Sequence, residues 1–81
     1  PSIDRLKEVV KKLKQVKENT LKELNSLKKT CDNKILVGKV DKVYESVVTL
    51  DENIINDDNM SRFMLVSRLK EEILEDKKNE Q

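Results

Sequence analysis

The sequence predicts an all-α protein, most simply an antiparallel three-helix bundle. Of its 81 residues, 36% are hydrophobic and 41% charged, and the apolar ones recur every three or four positions in three separate stretches. That spacing puts them on one face of a helix, whereas a half-buried strand alternates strictly. Short polar links between such stretches make successive helices antiparallel neighbours. We therefore expect one helical domain over residues 1–81, with helices exchanged between two chains as an alternative.

The first helix is predicted over about residues 3–29. Its apolar stripe follows a 3-4-3-4 spacing and consists of Ile3, Leu6, Val10, Leu13, Leu24, Leu27 and Cys31. Lys17 and Thr20 fill the two remaining slots of the stripe. A lysine in such a slot extends its ammonium to solvent or meets a carboxylate, and it can set the register of packed helices.

The second helix is predicted over about residues 34–55, with Asp32 or Asn33 as its N-terminal cap. Its stripe has a 4-3-4-3-4 spacing and consists of Leu36, Val40, Val43, Val47, Leu50 and Ile54. The many valines favour a strand by composition, but the helical spacing decides against one.

The third helix is predicted over about residues 60–77, after a polar connection at 56–59 that is expected to stay exposed. Its apolar stripe is expected to be Leu65, Val66, Leu69 and Ile73, with Phe63 and Leu74 at one edge. Lysines 77 and 78 near its end suit the negative C-terminal end of the helix dipole.

Arg62 is a charged residue in the first slot of this third stripe, in line with Val66, Leu69 and Ile73. It can pack its stem and reach solvent or a preceding aspartate, or it can lie at a groove between helices two and three. In that groove it would meet a partner's carboxylate, since a guanidinium makes two parallel charge-assisted bonds.

Acidic residues on the second helix give the complementary signal. Asp41, Glu45 and Glu52 share its outer face, Asp51 lies at the edge of the apolar stripe, and Val48 interrupts the acidic row. Such rows are commonly only a solvated face. Together with Arg62, however, they have the composition of a polar protein-binding surface with a few apolar anchors.

Composition argues against catalysis. The chain has no histidine, one cysteine and one glycine. It therefore cannot form a histidine-dependent triad, an internal disulfide or a glycine-rich phosphate loop. We expect no enzyme activity, no metal and no cofactor.

The ends and the charge lead to further expectations. No apolar run is long enough to span a membrane, and a single thiol fits a reducing, cytoplasmic location. A chain that starts with Pro1 is expected to be a segment of a longer protein. Residues 1–31 hold nine basic and four acidic residues, and residues 32–81 hold eight basic and twelve acidic ones. The two parts should attract each other along their flanks.

Two segments, DKVYESVVTLD at 41–51 and RFMLVSRLK at 62–70, resemble the last two helices of the BAG (Bcl-2-associated athanogene) domain. That family has an acidic residue, an aspartate ten positions later, an arginine on the third helix and a glutamine eight positions after it. Asp41, Asp51, Arg62 and Lys70 have matching places. Asp41 stands where glutamate is commoner, Lys70 replaces the glutamine, and the loop between Asp51 and Arg62 is shorter than in the best-known members. The resemblance covers roughly residues 36–76.

The resemblance implies a three-helix co-chaperone module that binds the ATPase domain of 70-kDa heat-shock (DnaK-type) chaperones and promotes exchange of ADP for ATP. Helices two and three would clamp one lobe of that domain, without a cofactor. The partner-binding residues are then expected to be Asp41, Asp51, Arg62 and Lys70, together with Glu45 and Val48.

Two other functions compete with this one. The heptad-like first helix is compatible with a coiled-coil oligomerisation or protein-interaction module without chaperone activity, including a homodimer. Nucleic-acid binding by the basic first helix is disfavoured, because Glu8, Glu18 and Glu23 interrupt the lysines and no stacking aromatic is present there.

Overall fold

The computed structural model describes residues 2–79, which form three helices packed on one another and, within that range, no strand. Helix α1 spans Ser2–Thr30, α2 spans Lys34–Val48 and α3 spans Asp57–Asn79. The bundle is elongated, 49 × 18 × 18 Å, because α1 runs nearly its whole length. The predicted fold class, an all-helical three-helix bundle, is confirmed.

The core lies along the axis of the bundle and draws on every helix. Its buried apolar residues are Leu13, Leu24, Leu27, Leu36, Val40, Val43, Val47, Leu50, Phe63, Val66 and Ile73. All but Phe63 are aliphatic. Fully burying one aliphatic side chain contributes about 1.5–3 kcal/mol, so packing of Leu, Val and Ile supplies most of the core. Thr20, in a polar slot of the first stripe, is also buried.

The start of α2 is capped as the sequence predicts. The side-chain oxygen of Asn33 accepts hydrogen bonds from the backbone amides of Ile35 (2.9 Å) and Leu36 (3.2 Å). These two bonds satisfy amide groups that the first turn of a helix leaves unpaired. The link between α1 and α2 is therefore only three residues long.

The end of α2 differs from the expectation, because the helix stops at Val48 rather than near residue 55. The Lys17 ammonium donates to the backbone carbonyl of Leu50 at 2.7 Å, and the Asn59 side-chain amide donates to that of Asp51 at 2.7 Å. Side chains of α1 and α3 thus take carbonyls that a longer helix would use internally. The apolar spacing continues to Ile54, but the helix does not, and Ile54 is exposed.

The connection to α3 is longer than expected, residues 49–56 instead of 56–59, although α3 itself begins earlier, at Asp57 instead of residue 60. The side chain of Asn56 accepts a hydrogen bond from the amide of Asn59 at 2.8 Å, which is the bond of a helix N-cap. Asn59 is itself buried, so the expectation that 56–59 would all stay exposed is wrong at this residue.

The buried face of α3 is rotated relative to the predicted stripe. Phe63, expected at an edge, is 3% exposed, whereas Leu65, expected in the stripe, is 52% exposed. Arg62 is exposed as well and does not occupy a core slot. The buried positions are instead Asn59, Phe63, Val66 and Ile73. Lys70 lies between Val66 and Ile73 at helical spacing. The charged residue on the core-facing stripe is therefore Lys70, whereas the sequence pattern predicted Arg62 there.

Candidate partner-binding surface

A groove lies between α2 and α3 near the start of α3. It has a volume of about 220 Å³ and is lined by Ser46, Thr49, Leu50, Asn59, Arg62, Leu65, Val66 and Leu69; we call it the Arg62 groove. Its floor is apolar because Leu50 and Val66 belong to the core, and its rim carries hydroxyl groups and a guanidinium. An apolar floor within a polar rim is the usual composition of a protein-binding surface.

Arg62 is the cation of this groove. Its side chain is exposed and, within the described part of the chain, makes neither a hydrogen bond nor an ion pair. Pairing with Asp57 or Asp58, the alternative that the sequence left open, does not occur. The guanidinium is therefore free to meet a carboxylate from another molecule.

Asp51 lies at the same end of the groove. It follows Leu50, and its backbone carbonyl is bound by Asn59; both of those residues line the groove. Its exposed carboxylate accepts a hydrogen bond from the backbone amide of Asn53 at 2.9 Å. Asp51 is therefore next in the chain to a residue that lines the groove, while Arg62 lines the groove itself.

Asp41 and Val48 do not join this surface. The Asp41 carboxylate forms an ion pair with Lys28 of α1 at 2.9 Å, so its edge of α2 faces α1. Val48, half exposed, lies seven residues further on and shares that edge. The α2 residues beside Arg62 are instead Ser46 and others of the opposite edge. The single surface inferred for Val48 and Arg62 is therefore not formed.

Glu45 lies on the outer face of α2, between these two edges. Its side chain is exposed, and its backbone carbonyl accepts the amide hydrogen of Thr49 at 3.3 Å, at the end of the helix. A partner that covered the outer face of α2 would reach it together with one edge or the other.

Lys70 lies beside α1, away from the Arg62 groove. Its side chain is only 14% exposed, and its ammonium lies 3.3 Å from the Glu23 carboxylate of α1 and 3.2 Å from that of Glu71. Partial burial by itself would lower the pKa of Lys70, but the hydrogen bonds and charges of Glu71 and Glu23 outweigh it and raise that pKa. Lys70 therefore joins α3 to α1 within the molecule.

A second groove between α2 and α3 was not singled out from the sequence. It has a volume of about 340 Å³, is lined by Lys39, Lys42, Val43, Leu69, Glu72, Ile73 and Asp76, and shares Leu69 with the Arg62 groove. Lys39 and Asp76 pair across it at 3.6 Å. The available signal was the helical spacing of Lys39 and Lys42 on α2 and of Glu72 and Asp76 on α3, which places each pair on one edge.

The remaining chemistry of the described residues is limited. They contain no cluster of three or more histidine, cysteine, aspartate or glutamate side chains arranged to hold a metal ion. Cys31 is a half-buried free thiol that lies 3.8 Å from the backbone carbonyl of Asn33. None of the three described helices combines the length and hydropathy that crossing a bilayer requires.

Comparison with known proteins neither supports nor opposes the resemblance to the BAG domain. No protein-family model, no curated protein and no solved structure matches the chain. The groove, its charges and its neighbours are therefore the observations on which a proposed function has to rest.

Proposed function

We propose that this chain is a co-chaperone module that binds the ATPase domain of a 70-kDa heat-shock chaperone and promotes release of ADP. Two features support the proposal: the three-helix architecture that the BAG resemblance implies, and the groove between α2 and α3 that Arg62 lines. The proposed contacts are Arg62 in the groove, Asp51 next to groove residue Leu50, and Glu45 on the adjoining outer face. Asp41 and Lys70 already form ion pairs within the molecule, so each binds a partner only if it first breaks its internal pair.

The free guanidinium of Arg62 is the observation that carries the proposal. A partner carboxylate that docks on it gains a bidentate, charge-assisted contact without first breaking an internal ion pair. The apolar floor beside it excludes water from that contact, and exclusion of water is what makes central arginines dominate binding energies. Leu65, which is half exposed and lines the same groove, provides an apolar anchor.

Nucleotide exchange follows from binding by linkage. A module that binds the open cleft of the ATPase domain better than the closed cleft shifts the domain toward the open state. The same factor by which it prefers the open cleft must then weaken nucleotide binding. No covalent step and no cofactor are required of this chain.

Replacing the free arginine tests the proposal. Arg62→Ala should weaken binding to a purified ATPase domain by about 30-fold or more, which corresponds to a hot-spot loss of about 2 kcal/mol. Binding is measured by titration calorimetry, and exchange by the release rate of a fluorescent ADP analogue. The circular dichroism of the variant should stay unchanged, because Arg62 has no partner within residues 2–79.

Arg68→Ala is the matched control. Arg68 is also an exposed arginine of α3 without an ion pair among the described residues. It lies six residues after Arg62, which places it on a different face of the helix, away from the groove. It should bind the ATPase domain like the unmodified chain. Equal affinity of the Arg62→Ala variant, or no binding by the unmodified chain, would refute the co-chaperone assignment.

A protein-interaction module without chaperone activity is the second candidate. The observation that favours it is the group of exposed apolar side chains at the start of α1, where Ile3 is 68% and Leu6 48% exposed. These residues lie outside the Arg62 groove, so a chain that ignores the ATPase domain but self-associates would support this candidate.

A further inference from the structure

The first turns of α1 extend beyond the cover of the other two helices. Every side chain from Ile3 to Glu8 is exposed, whereas Val9 is half-buried and Leu13 is in the core. Ile3 and Leu6 lie at the spacing that puts them on the same face as Leu13. The apolar stripe of α1 therefore continues past the point where α2 and α3 cover it. We call residues 3–8 the free end of α1.

An acidic segment lies at the same end of the bundle. The connection between α2 and α3 is anchored there by Lys17, which binds the carbonyl of Leu50 and lies 3.7 Å from the carboxylate of Glu52. From residue 51 to residue 58, the connection and the first turn of α3 together have four carboxylates and no basic residue: Asp51, Glu52, Asp57 and Asp58. Two exposed isoleucines, Ile54 and Ile55, lie among them.

The free end is neutral overall, because Asp4 and Glu8 balance Arg5 and Lys7, but its basic residues lie beside the apolar stripe whereas its acidic ones lie on the opposite face. Arg5 and Lys7 flank Leu6 on its two sides, and neither forms an ion pair within the described part of the chain. Asp57 and Asp58 are exposed and likewise have no ion pair there. One end of the molecule thus presents an uncovered apolar stripe with basic flanks next to an acidic, partly apolar connection.

We propose that the free end of α1 is covered by the free end of a second copy of this chain, in an antiparallel dimer. Antiparallel pairing buries Ile3 and Leu6 of each copy against the corresponding stripe of the other. It also brings the tip of each α1 alongside the start of α3 of the second copy, so that Arg5 and Lys7 meet its Asp57 and Asp58. Parallel pairing would instead set like charges side by side.

Sedimentation equilibrium tests the dimer directly. The unmodified chain should change from 9.5 kDa at low concentration to about twice that mass at high micromolar concentration. Leu6→Glu should stay monomeric over the same range, because it puts a carboxylate into the paired stripe. The fold should survive this change, since residue 6 is exposed on the monomer; thermal unfolding at low concentration checks this.

Ile35→Glu is the matched control for that variant. Ile35 is more exposed than Leu6, at 76%, but it lies at the start of α2, at the opposite end of the bundle. The same charge placed there should leave the dimer intact. Equal loss of the dimer in both variants would overturn the proposed location.

A charge exchange tests the pairing of the two segments. Arg5→Glu with Lys7→Glu in one chain, and Asp57→Lys with Asp58→Lys in another, should each be monomeric alone. Mixed together they should form a heterodimer, because the acidic free end of the first chain then meets the basic positions 57 and 58 of the second, and the other contact keeps its original charges. Failure of the mixture to associate, with both chains folded by circular dichroism, would overturn the antiparallel arrangement.

Two further outcomes would overturn the proposal. One is a chain that stays monomeric at every concentration. The other is a chain that stays monomeric and instead co-sediments with vesicles containing anionic lipid, which would make a membrane surface the occupant. The result is separable from the chaperone proposal, since Leu6→Glu leaves the Arg62 groove intact and should bind the ATPase domain normally.

Discussion

Asn59 closes the connection between α2 and α3 from inside the bundle. Its side-chain amide donates to the carbonyls of Asp51 and Ile54, each at 2.7 Å, while its backbone amide binds the Asn56 cap. A buried amide is stabilising only if it is hydrogen-bonded, and here both donors are used. The same two bonds fix Asp51 beside the Arg62 groove, so one polar side chain links the fold to the site.

Removing this amide should be costly. Asn59→Ala leaves two carbonyls without their donor and is expected to lower the free energy of unfolding by about 2–3 kcal/mol. Urea unfolding followed by circular dichroism measures the loss. Asn53→Ala, a change in the same connection at an exposed side chain, should cost less than about 0.5 kcal/mol. Similar losses in the two variants would contradict the role given to Asn59.

Helix α3 is held against α1 by a charged residue on its core-facing stripe. Lys70 occupies the position between Val66 and Ile73, and its ammonium reaches the Glu23 carboxylate of α1 at 3.3 Å. A hydrophobic residue of similar volume at such a place is commonly neutral or stabilising. We therefore expect the pair to specify how α3 is rotated against α1 more than it adds to stability.

The pH dependence of stability should reveal this pair. Because the pKa of Lys70 is raised above 10.5, its ordinary value, its contribution is complete below that pH. It is lost as pH rises through the folded value. Lys70→Met should change stability at pH 7 by no more than about 1 kcal/mol. Above pH 10.5 it should lose less stability than the unmodified chain. Denaturant unfolding at pH 9 and pH 11.5 tests this, and identical alkaline losses would count against it.

At the scale of the molecule, positive charge is concentrated in the first 31 residues and negative charge in the rest of the chain. The basic α1 is tied to the acidic remainder by ion pairs from Lys17 to Glu52 and from Lys28 to Asp41. The flank attraction that composition predicts is therefore present. The two partners of the second pair are about half exposed, and such pairs contribute well under 1 kcal/mol each. The core, which starts near Val9, carries the stability.

Truncation separates the core from the free end. Deleting residues 1–8 should shift Tm by less than about 4 °C at concentrations where the chain is monomeric. The reason is that every side chain from Ile3 to Glu8 is exposed. Calorimetry measures the shift. Deleting residues 73–81 is the control, and it should lower Tm by more than about 8 °C because it removes buried Ile73. A large shift in the first deletion would show that the free end belongs to the fold.

The sequence by itself determined the number of helices, their order and most of the core. The reason is that helical periodicity is a local property, and the stripes of α1 and α2 keep it over many turns. Capping by Asn33 and a polar partner for Lys17 followed from the same local rules. The sequence also predicted that Arg62 can lie at a groove between α2 and α3, where it is found. It does not lie in the core stripe of α3, where the spacing had placed it.

Only the tertiary structure decided where α2 ends, which face of α3 is buried and which polar residues share a surface. The carbonyls after Val48 are taken by Lys17 and Asn59, residues 33 and 8 positions from their acceptors, and local periodicity contains no information about them. The rotation of α3 depends on packing against two helices at once. That rotation turns Lys70 toward α1 and leaves Arg62 free at the groove.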